Sequence, residues 1–251
     1  YRRSRKGRTN MSGISEQTVN AAEVKTIEIE IAAADLAVKK GEIDTEIRAV
    51  LVSGELDKFK VEQNGDKLVL SYGTKRKSVK YKKDTEVIEL YMPEQMHAEK
   101  LSLTVGAGEC EVSVPGLTFD RMHLEVGAGK LKAEDITVTG KAAVEVGAGK
   151  VKLAQMSVQE LAISCGVGEC RYEGSVSRDV NADCGIGEVS VKLAGKETDY
   201  NYEVSCGIGK IKVNDSSYGS FAASKSVQHE QAKGTMKLEC GVGKIKIETE
   251  K

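Results

Sequence analysis

From about residue 99 to the end of the chain, apolar and polar positions alternate, and a Gly-x-Gly step interrupts the alternation at regular intervals. Seven segments share this form: "LTVGAGECEV" (103–112), "LEVGAGKLKA" (124–133), "VEVGAGKVKL" (144–153), "ISCGVGECRY" (163–172), "ADCGIGEVSV" (182–191), "VSCGIGKIKV" (204–213) and "LECGVGKIKI" (238–247). A period of two on each side of the glycines predicts strand, corner, strand. Glycine suits the corner because it tolerates positive φ and because it lets neighbouring backbones approach where a side chain would intervene. The corner glycines are Gly106 and Gly108, Gly127 and Gly129, Gly147 and Gly149, Gly166 and Gly168, Gly185 and Gly187, Gly207 and Gly209, and Gly241 and Gly243. Their first members are 21, 20, 19, 19, 22 and 34 residues apart. Coils of that length cannot bury a face alone and stack, so the fold expected is an all-β, parallel, right-handed β-helix-like solenoid with in-register rungs about 4.8 Å apart.

The upstream half is strand-rich but less regular. "IEIEIAAADLAVKKG" (27–41) copies the unit with Ala32, Ala33, Ala34 and Asp35 at the corner. "FKVEQNGDKLVLSY" (59–72) reads as two strands joined by an Asn64-Gly65 turn, and Pro93 stops a strand in "TEVIELYMPEQM" (85–96). The organisation expected is a basic, flexible, juxtamembrane-like segment over 1–24 and one solenoid domain over 25–251. Within that domain, 25–98 is irregular, 99–251 forms regular coils, and 214–235 is an insertion. The insertion is a candidate binding loop or a cap over an open coil end.

Stacking in sequence order gives the cysteines a plain role. The residues before the corner are Val105, Val126, Val146, Cys165, Cys184, Cys206 and Cys240, while Cys110 and Cys170 share a second inward column with Leu131, Val151, Val189, Ile211 and Ile245. All six cysteines therefore read as small core hydrophobes. Disulfides between consecutive rungs are the alternative, at a compatible Cα distance but with unsuitable Cβ directions. No Cys-x-x-Cys or His-pair spacing points to zinc. After each corner comes a charge, Glu109, Lys130, Lys150, Glu169, Glu188, Lys210 or Lys244. These read as a solvated ladder with opposite signs at 109/130, 150/169 and 188/210.

Composition narrows function. Of 251 residues, 37 are Lys or Arg and 38 are Asp or Glu, a net charge of -1 that gives no overall field for nucleic acid. There is no Trp and only 3 Phe, so small and β-branched residues must fill the core. No stretch of about 18 apolar residues is present to cross a bilayer as a helix. The opening "YRRSRKGR" resembles the basic flank of a membrane helix, so an anchor upstream of Tyr1 is expected. A second basic cluster, Lys75, Arg76, Lys77, Lys80, Lys82 and Lys83 around Tyr81, is a candidate site for an anionic ligand. His97, His123 and His229 stand in no nucleophile-elbow, phosphate-loop or metalloprotease pattern, so no catalytic, metal or cofactor residue is assigned.

The strand end "YMPEQM" followed by coils of the form "LSLTVGAGECEVSV" and "LEVGAGKLKAED" resembles the bacterial putative-adhesin β-strand-repeat family, a domain of unknown function, over roughly residues 25–251. The resemblance implies a solenoid carried on a membrane-anchored protein and linked to surface adhesion or envelope stress, with no catalytic residues to carry over. The cysteine column and the insertion depart from the family's pattern. The function expected is a non-enzymatic interaction module of the bacterial cell envelope, membrane-associated through sequence ahead of Tyr1. Its expected partner is an envelope protein, a wall polymer or an anionic lipid surface. Self-assembly through open coil ends is the second reading, and an enzyme with its site beside the insertion is the third.

Overall fold

The computed structural model describes residues 15–73, 85–218 and 223–250. Among these, the only helical turns are the three-residue segments Ala21–Glu23 and Glu197–Asp199, and the rest of the regular structure is strand. Each Gly-x-Gly unit forms one rung, with a strand before the corner and a strand after it. Neighbouring rungs pair parallel and in register, as in Val126 opposite Val146 and Leu131 opposite Val151. A coil has three straight sides. In the fourth rung these carry Leu117 and Phe119, then Met122, Leu124 and Val126, then Leu131 and Ala133, all buried. A register irregularity between Phe119 and Met122 makes one corner, Gly127 to Gly129 the second, and Asp135, at φ 57°, the third. The Asp135 carboxylate accepts a hydrogen bond from Gly116 N–H at 3.0 Å, which ties the third corner to the rung below.

The rungs do not stack in chain order. Counted along the rod, the described residues form nine rungs. Lys67–Tyr72 with Val87–Met92 is the first, and Thr26–Ala33 with Asp35–Lys40 the second. His97–Ala107 with Glu109–Ser113 is the third, and Leu117–Val126 with Lys130–Glu134 the fourth. Ile136–Val146 with the first half of Lys150–Cys165 makes the fifth, and the second half with Glu169–Val176 the sixth. Val180–Cys184 with Glu188–Lys196 is the seventh, Gly234–Cys240 with Lys244–Glu250 the eighth, and Tyr200–Cys206 with Lys210–Val213 the ninth. The chain therefore builds each end the same way: the outermost rung and its neighbour are exchanged relative to sequence order.

This exchange corrects three expectations. Cys184 stacks on Cys165 and on Cys240, and Cys206 lies beyond Cys240 rather than on Cys184. In the charge ladder, Glu188 faces Lys244 instead of Lys210. The strand after the last Gly-x-Gly corner does not end the stack, because Lys244–Ile247 is flanked by a rung on both sides. The reason is the insertion, which is long enough for the chain to form the ninth rung, cover it and return one rung inward. Part of it, Ser216–Tyr218 and Ala223–Val227, pairs antiparallel on the ninth rung's outer edge. At the other end, Phe59–Asn64 and Glu46–Ser53 pair antiparallel on the first rung, and Ser15–Asn20 pairs on Glu46–Ser53. Order thus begins ahead of residue 25. Antiparallel strands at both ends shield the parallel stack's unpaired backbone groups.

The glycine corners work by contact rather than by φ. Of the fourteen corner glycines only Gly108 has a positive φ, at 116°. Elsewhere the need is room: a Cβ on Gly187 would lie 2.2 Å from the Gly168 carbonyl oxygen and 2.9 Å from Cys165 Sγ. Inside the corners, one column runs Tyr72, Ile31, Val105, Val126, Val146, Cys165, Cys184, Cys240 and Cys206, all buried. All six cysteines are free thiols. Cysteine replaces valine because both put one atom under the next rung's second glycine. Val126 Cγ1 holds that position below Gly149, and Cys184 Sγ holds it below Gly243. The Cys184 thiol also donates to the Gly187 carbonyl at 3.0 Å. Burial is the main cause that pushes the Cys165 and Cys240 thiols up to about 11 and the Cys110 thiol to about 12.

Candidate functional site, an aliphatic corner ridge

Inward positions lie immediately before the first glycine and four residues after it, as with Cys184 and Val189, five residues apart. The spacing between them is odd, so strict alternation fails across the corner, and the residue between the glycines points out. Its N–H still bonds to the neighbouring rung: Val167 to Gly147 O at 2.8 Å, Ile186 to Gly166 O at 2.8 Å, Val242 to Gly185 O at 2.8 Å and Ile208 to Gly241 O at 2.9 Å. The ladder therefore passes through the corner without a break and holds these side chains on a rigid edge.

In stacking order the outward residues are Ala107, Ala128, Ala148, Val167, Ile186, Val242 and Ile208, all exposed. The last four are 63%, 64%, 58% and 71% exposed, and they account for four of the six large apolar side chains exposed among the described residues. With rungs about 4.8 Å apart they form a continuous aliphatic ridge on the solenoid's C-terminal half. Contiguous exposed apolar surface on a soluble fold marks interaction sites far more often than isolated exposed residues do.

A shallow groove of about 560 Å³, widely open to solvent, runs beside the ridge from Gly149 to Gly243. Gly149, Gly168, Gly187 and Gly243 form its floor, Val167, Ile186 and Val242 its apolar wall, and Lys150, Glu169, Glu188 and Lys244 its charged wall. The glycines leave the floor low because their side chains are absent. Along the charged wall, Lys130 binds Glu109, Lys150 binds Glu169 at 3.2 Å, and Lys244 binds Glu188 at 3.1 Å. Lys150 first, and then Arg171 at 2.5 Å, holds the Glu169 carboxyl below the usual carboxylate range. Glu169 and Glu188 thus serve in ion pairs. On the ridge's other side, the outward residues two positions before the corner are Glu125, Glu145, Ser164, Asp183, Glu239 and Ser205 in stacking order, all exposed and none basic.

The remaining sequence candidates lie elsewhere. The basic cluster Lys75, Arg76, Lys77, Lys80, Tyr81, Lys82 and Lys83 lies outside the described residues. His97 Nε2 is 3.0 Å from the Asp120 carboxylate, which also accepts from Thr139 Oγ1 at 3.0 Å. His229 fastens the insertion to the ninth rung. Its Nδ1 donates to the Tyr200 carbonyl at 2.6 Å, its backbone N–H donates to Asn201 Oδ1 at 2.8 Å, and its ring meets Tyr202 edge-on. The three histidines are not brought together, and among the described residues no three His, Cys, Asp or Glu side chains converge to hold a metal ion. The Gly-x-Gly pattern does not itself give the exposure of its middle residue; the increase from Ala to Val and Ile along the repeats is the signal for it.

No curated protein matches the chain at a significant level. Solved structures match over nearly its whole length at low identity. A putative cell adhesion protein from Clostridium sporogenes is 15% identical, with 96% of this chain and 100% of that one covered and a TM-score of 0.36. A putative adhesin from Bacteroides fragilis is 14% identical, with 96% and 100% covered and a TM-score of 0.45. A putative lipid binding protein from Parabacteroides distasonis is 12% identical, with 93% and 96% covered and a TM-score of 0.43. The sequence profile of one family spans residues 24–249, essentially the whole solenoid, and the chain belongs to that family, Toastrack DUF4097.

Proposed function

We propose that this chain is a non-enzymatic interaction module of the bacterial cell envelope, an adhesin or envelope-stress sensor domain presented on a right-handed parallel β-solenoid. The handedness follows the strong chirality preference of parallel crossover connections. The observation that carries the function is the ridge Val167, Ile186, Val242 and Ile208. Leaving large apolar side chains in water forgoes roughly 25 cal/mol for every Å² that burial would have removed, so a row of them on a rigid edge serves contact rather than folding. The candidate carboxylates Glu169 and Glu188 are engaged in ion pairs, which agrees with a binding role. Partners of matching chemistry are an envelope protein, a wall polymer or an anionic lipid surface. The basic run at Arg2, Arg3, Arg5, Lys6 and Arg8 supports anchoring through sequence ahead of Tyr1.

The test is binding of the labelled domain to isolated bacterial envelopes, comparing wild type with a variant carrying Val167→Asp, Ile186→Asp, Val242→Asp and Ile208→Asp. The reading predicts that the variant melts with the wild type and loses binding; a variant that binds as well as wild type overturns it. Fractionation of cells making the natural full-length protein tests the location. Sedimentation with membranes is expected, and recovery in the soluble fraction would contradict anchoring.

A further inference from the structure

This inference rests on the ridge being the interaction surface and names what occupies it. We infer that the ridge is a self-association face: a second copy of this chain docks on it with the two rods parallel, about a two-fold axis that runs along the rod between the ridge and the groove. A closed two-fold contact uses the same patch on both copies, so the patch must be complementary to itself. Shape and charge both meet that condition for one axis direction.

The ridge and the groove run side by side along the rod, one projecting and one recessed. A two-fold axis parallel to the rod and lying between the ridge and the groove sets each copy's ridge into the other's groove. An axis across the rod would set ridge on ridge and groove on groove, leaving the recess empty.

The same operation brings the column beyond one copy's groove opposite the column beyond the other's ridge, rung for rung. Lys130, Lys150 and Lys244 then face the partner copy's residues equivalent to Glu125, Glu145 and Glu239. At two further levels Glu169 faces a serine equivalent to Ser164, and Lys210 one equivalent to Ser205. Only Glu188, opposite the equivalent of Asp183, meets its own sign. An axis across the rod would instead lay the acidic column on itself. The complementarity is written within single repeats: "EVGAGK" (125–130), "EVGAGK" (145–150) and "ECGVGK" (239–244) each carry the acid before the corner and the base after it. Glu125, Glu145 and Glu239 have no ion pair among the described residues, whereas Lys130, Lys150 and Lys244 are exposed lysines, each able to turn from its present partner at modest cost, and Glu169 keeps Arg171 when Lys150 turns. Six rungs make a strip about 24 Å long, narrower than a standard interface, so the dimer forms in a concentration-dependent way.

Sedimentation velocity on the whole chain from about 10 µM to about 1 mM tests this. Wild type should shift toward dimer over that range, and Ile186→Asp with Val242→Asp should remain monomeric. Two charge variants test the pairing of the columns. One carries Lys130→Glu, Lys150→Glu and Lys244→Glu; the other carries Glu125→Lys, Glu145→Lys and Glu239→Lys. Each alone should be monomeric, and an equimolar mixture should regain the dimer, since every swapped column then faces its opposite. Thermal melts of the charge variants check that they fold. A strictly monomeric wild type at about 1 mM, or charge variants that dimerise alone as wild type does, overturns the proposal. If wild type is monomeric while Ile186→Asp with Val242→Asp still abolishes envelope binding, the second copy is wrong and the ridge reading survives. If neither dimer nor binding responds to the ridge, both fail.

Discussion

Along one edge of the solenoid, two kinds of rung stand next to each other. Rungs three to five place Val105, Val126 and Val146 inside the corner and Ala107, Ala128 and Ala148 outside it. Rungs six to nine place Cys165, Cys184, Cys240 and Cys206 inside and Val167, Ile186, Val242 and Ile208 outside. Both kinds share the same glycine floor, the same parallel ladder and the same inward direction, yet the branched aliphatic side chain has moved from the interior to the surface. Selection for stability alone would favour the first arrangement, because buried apolar atoms stabilise and exposed ones do not. The second arrangement separates two tasks: the interior accepts a smaller side chain of compatible shape, and the edge acquires a surface that can bind.

The largest effect should come from what the two kinds of rung share. Gly187→Val would force a Cβ to 2.2 Å from the Gly168 carbonyl oxygen, and Gly149→Val would force one to 2.4 Å from the Gly129 carbonyl oxygen. Each should cost about 3 kcal/mol or more in urea unfolding, in either half of the rod. A variant at Gly187 that unfolds with the wild type would mean the corner is looser than the contacts require.

Alkaline pH should act next, through the buried thiols. The folded-state values for Cys165 and Cys240, about 11, lie above the unfolded thiol value of about 8.5. The thiols' contribution is therefore full below about pH 8.5 and is lost as pH rises toward 11, at roughly 1.4 kcal/mol per pH unit for each thiol within that window. Urea midpoints measured at pH 7.5, 9 and 10.5 should fall, and Cys165→Val with Cys240→Val should make the fall shallower, the rest coming from Cys110, Cys170 and Cys184, which burial also raises. An identical pH profile in that variant would place the lability elsewhere, for instance in Tyr200, pushed up to about 12 mainly by burial.

At pH 7 the exchange of core side chains should matter little. Cys184→Val puts a methyl where valine already stands beneath Gly149, and the loss should stay under about 1 kcal/mol. A larger loss would show that the thiol's hydrogen bond to the Gly187 carbonyl outweighs the fit. The smallest change in stability belongs to the ridge. Ile186→Ser alters a side chain that is 64% exposed and should leave the unfolding free energy within about 0.5 kcal/mol.

The repeated corner makes most of this architecture legible from residues alone. Period-two alternation and the Gly-x-Gly spacing placed the strands, both inward columns and the burial of all six cysteines. The order of the end rungs was not legible. A parallel strand accepts either neighbour in register, and the repeats around Cys184, Cys206 and Cys240 are nearly identical, so nothing local distinguishes stacking by sequence from threading back. The 34-residue spacing marked the place of the exchange but not its direction. The ridge escaped for a different reason. Alternation counted from Cys184 sends Ile186 inward, and only the corner reverses it. A sequence feature did exist, in that all four cysteine repeats carry Val or Ile between the glycines and all three valine repeats carry Ala. Its meaning depends on knowing which way the corner faces.

The most direct test of the account compares the melting temperature and the envelope binding of one protein, the variant with Val167→Ser, Ile186→Ser, Val242→Ser and Ile208→Ser. The account predicts an unchanged melt with binding lost, because the ridge contributes to contact and not to folding. A protein that melts well below wild type while binding envelopes as strongly would contradict it, and would return these four side chains to the core.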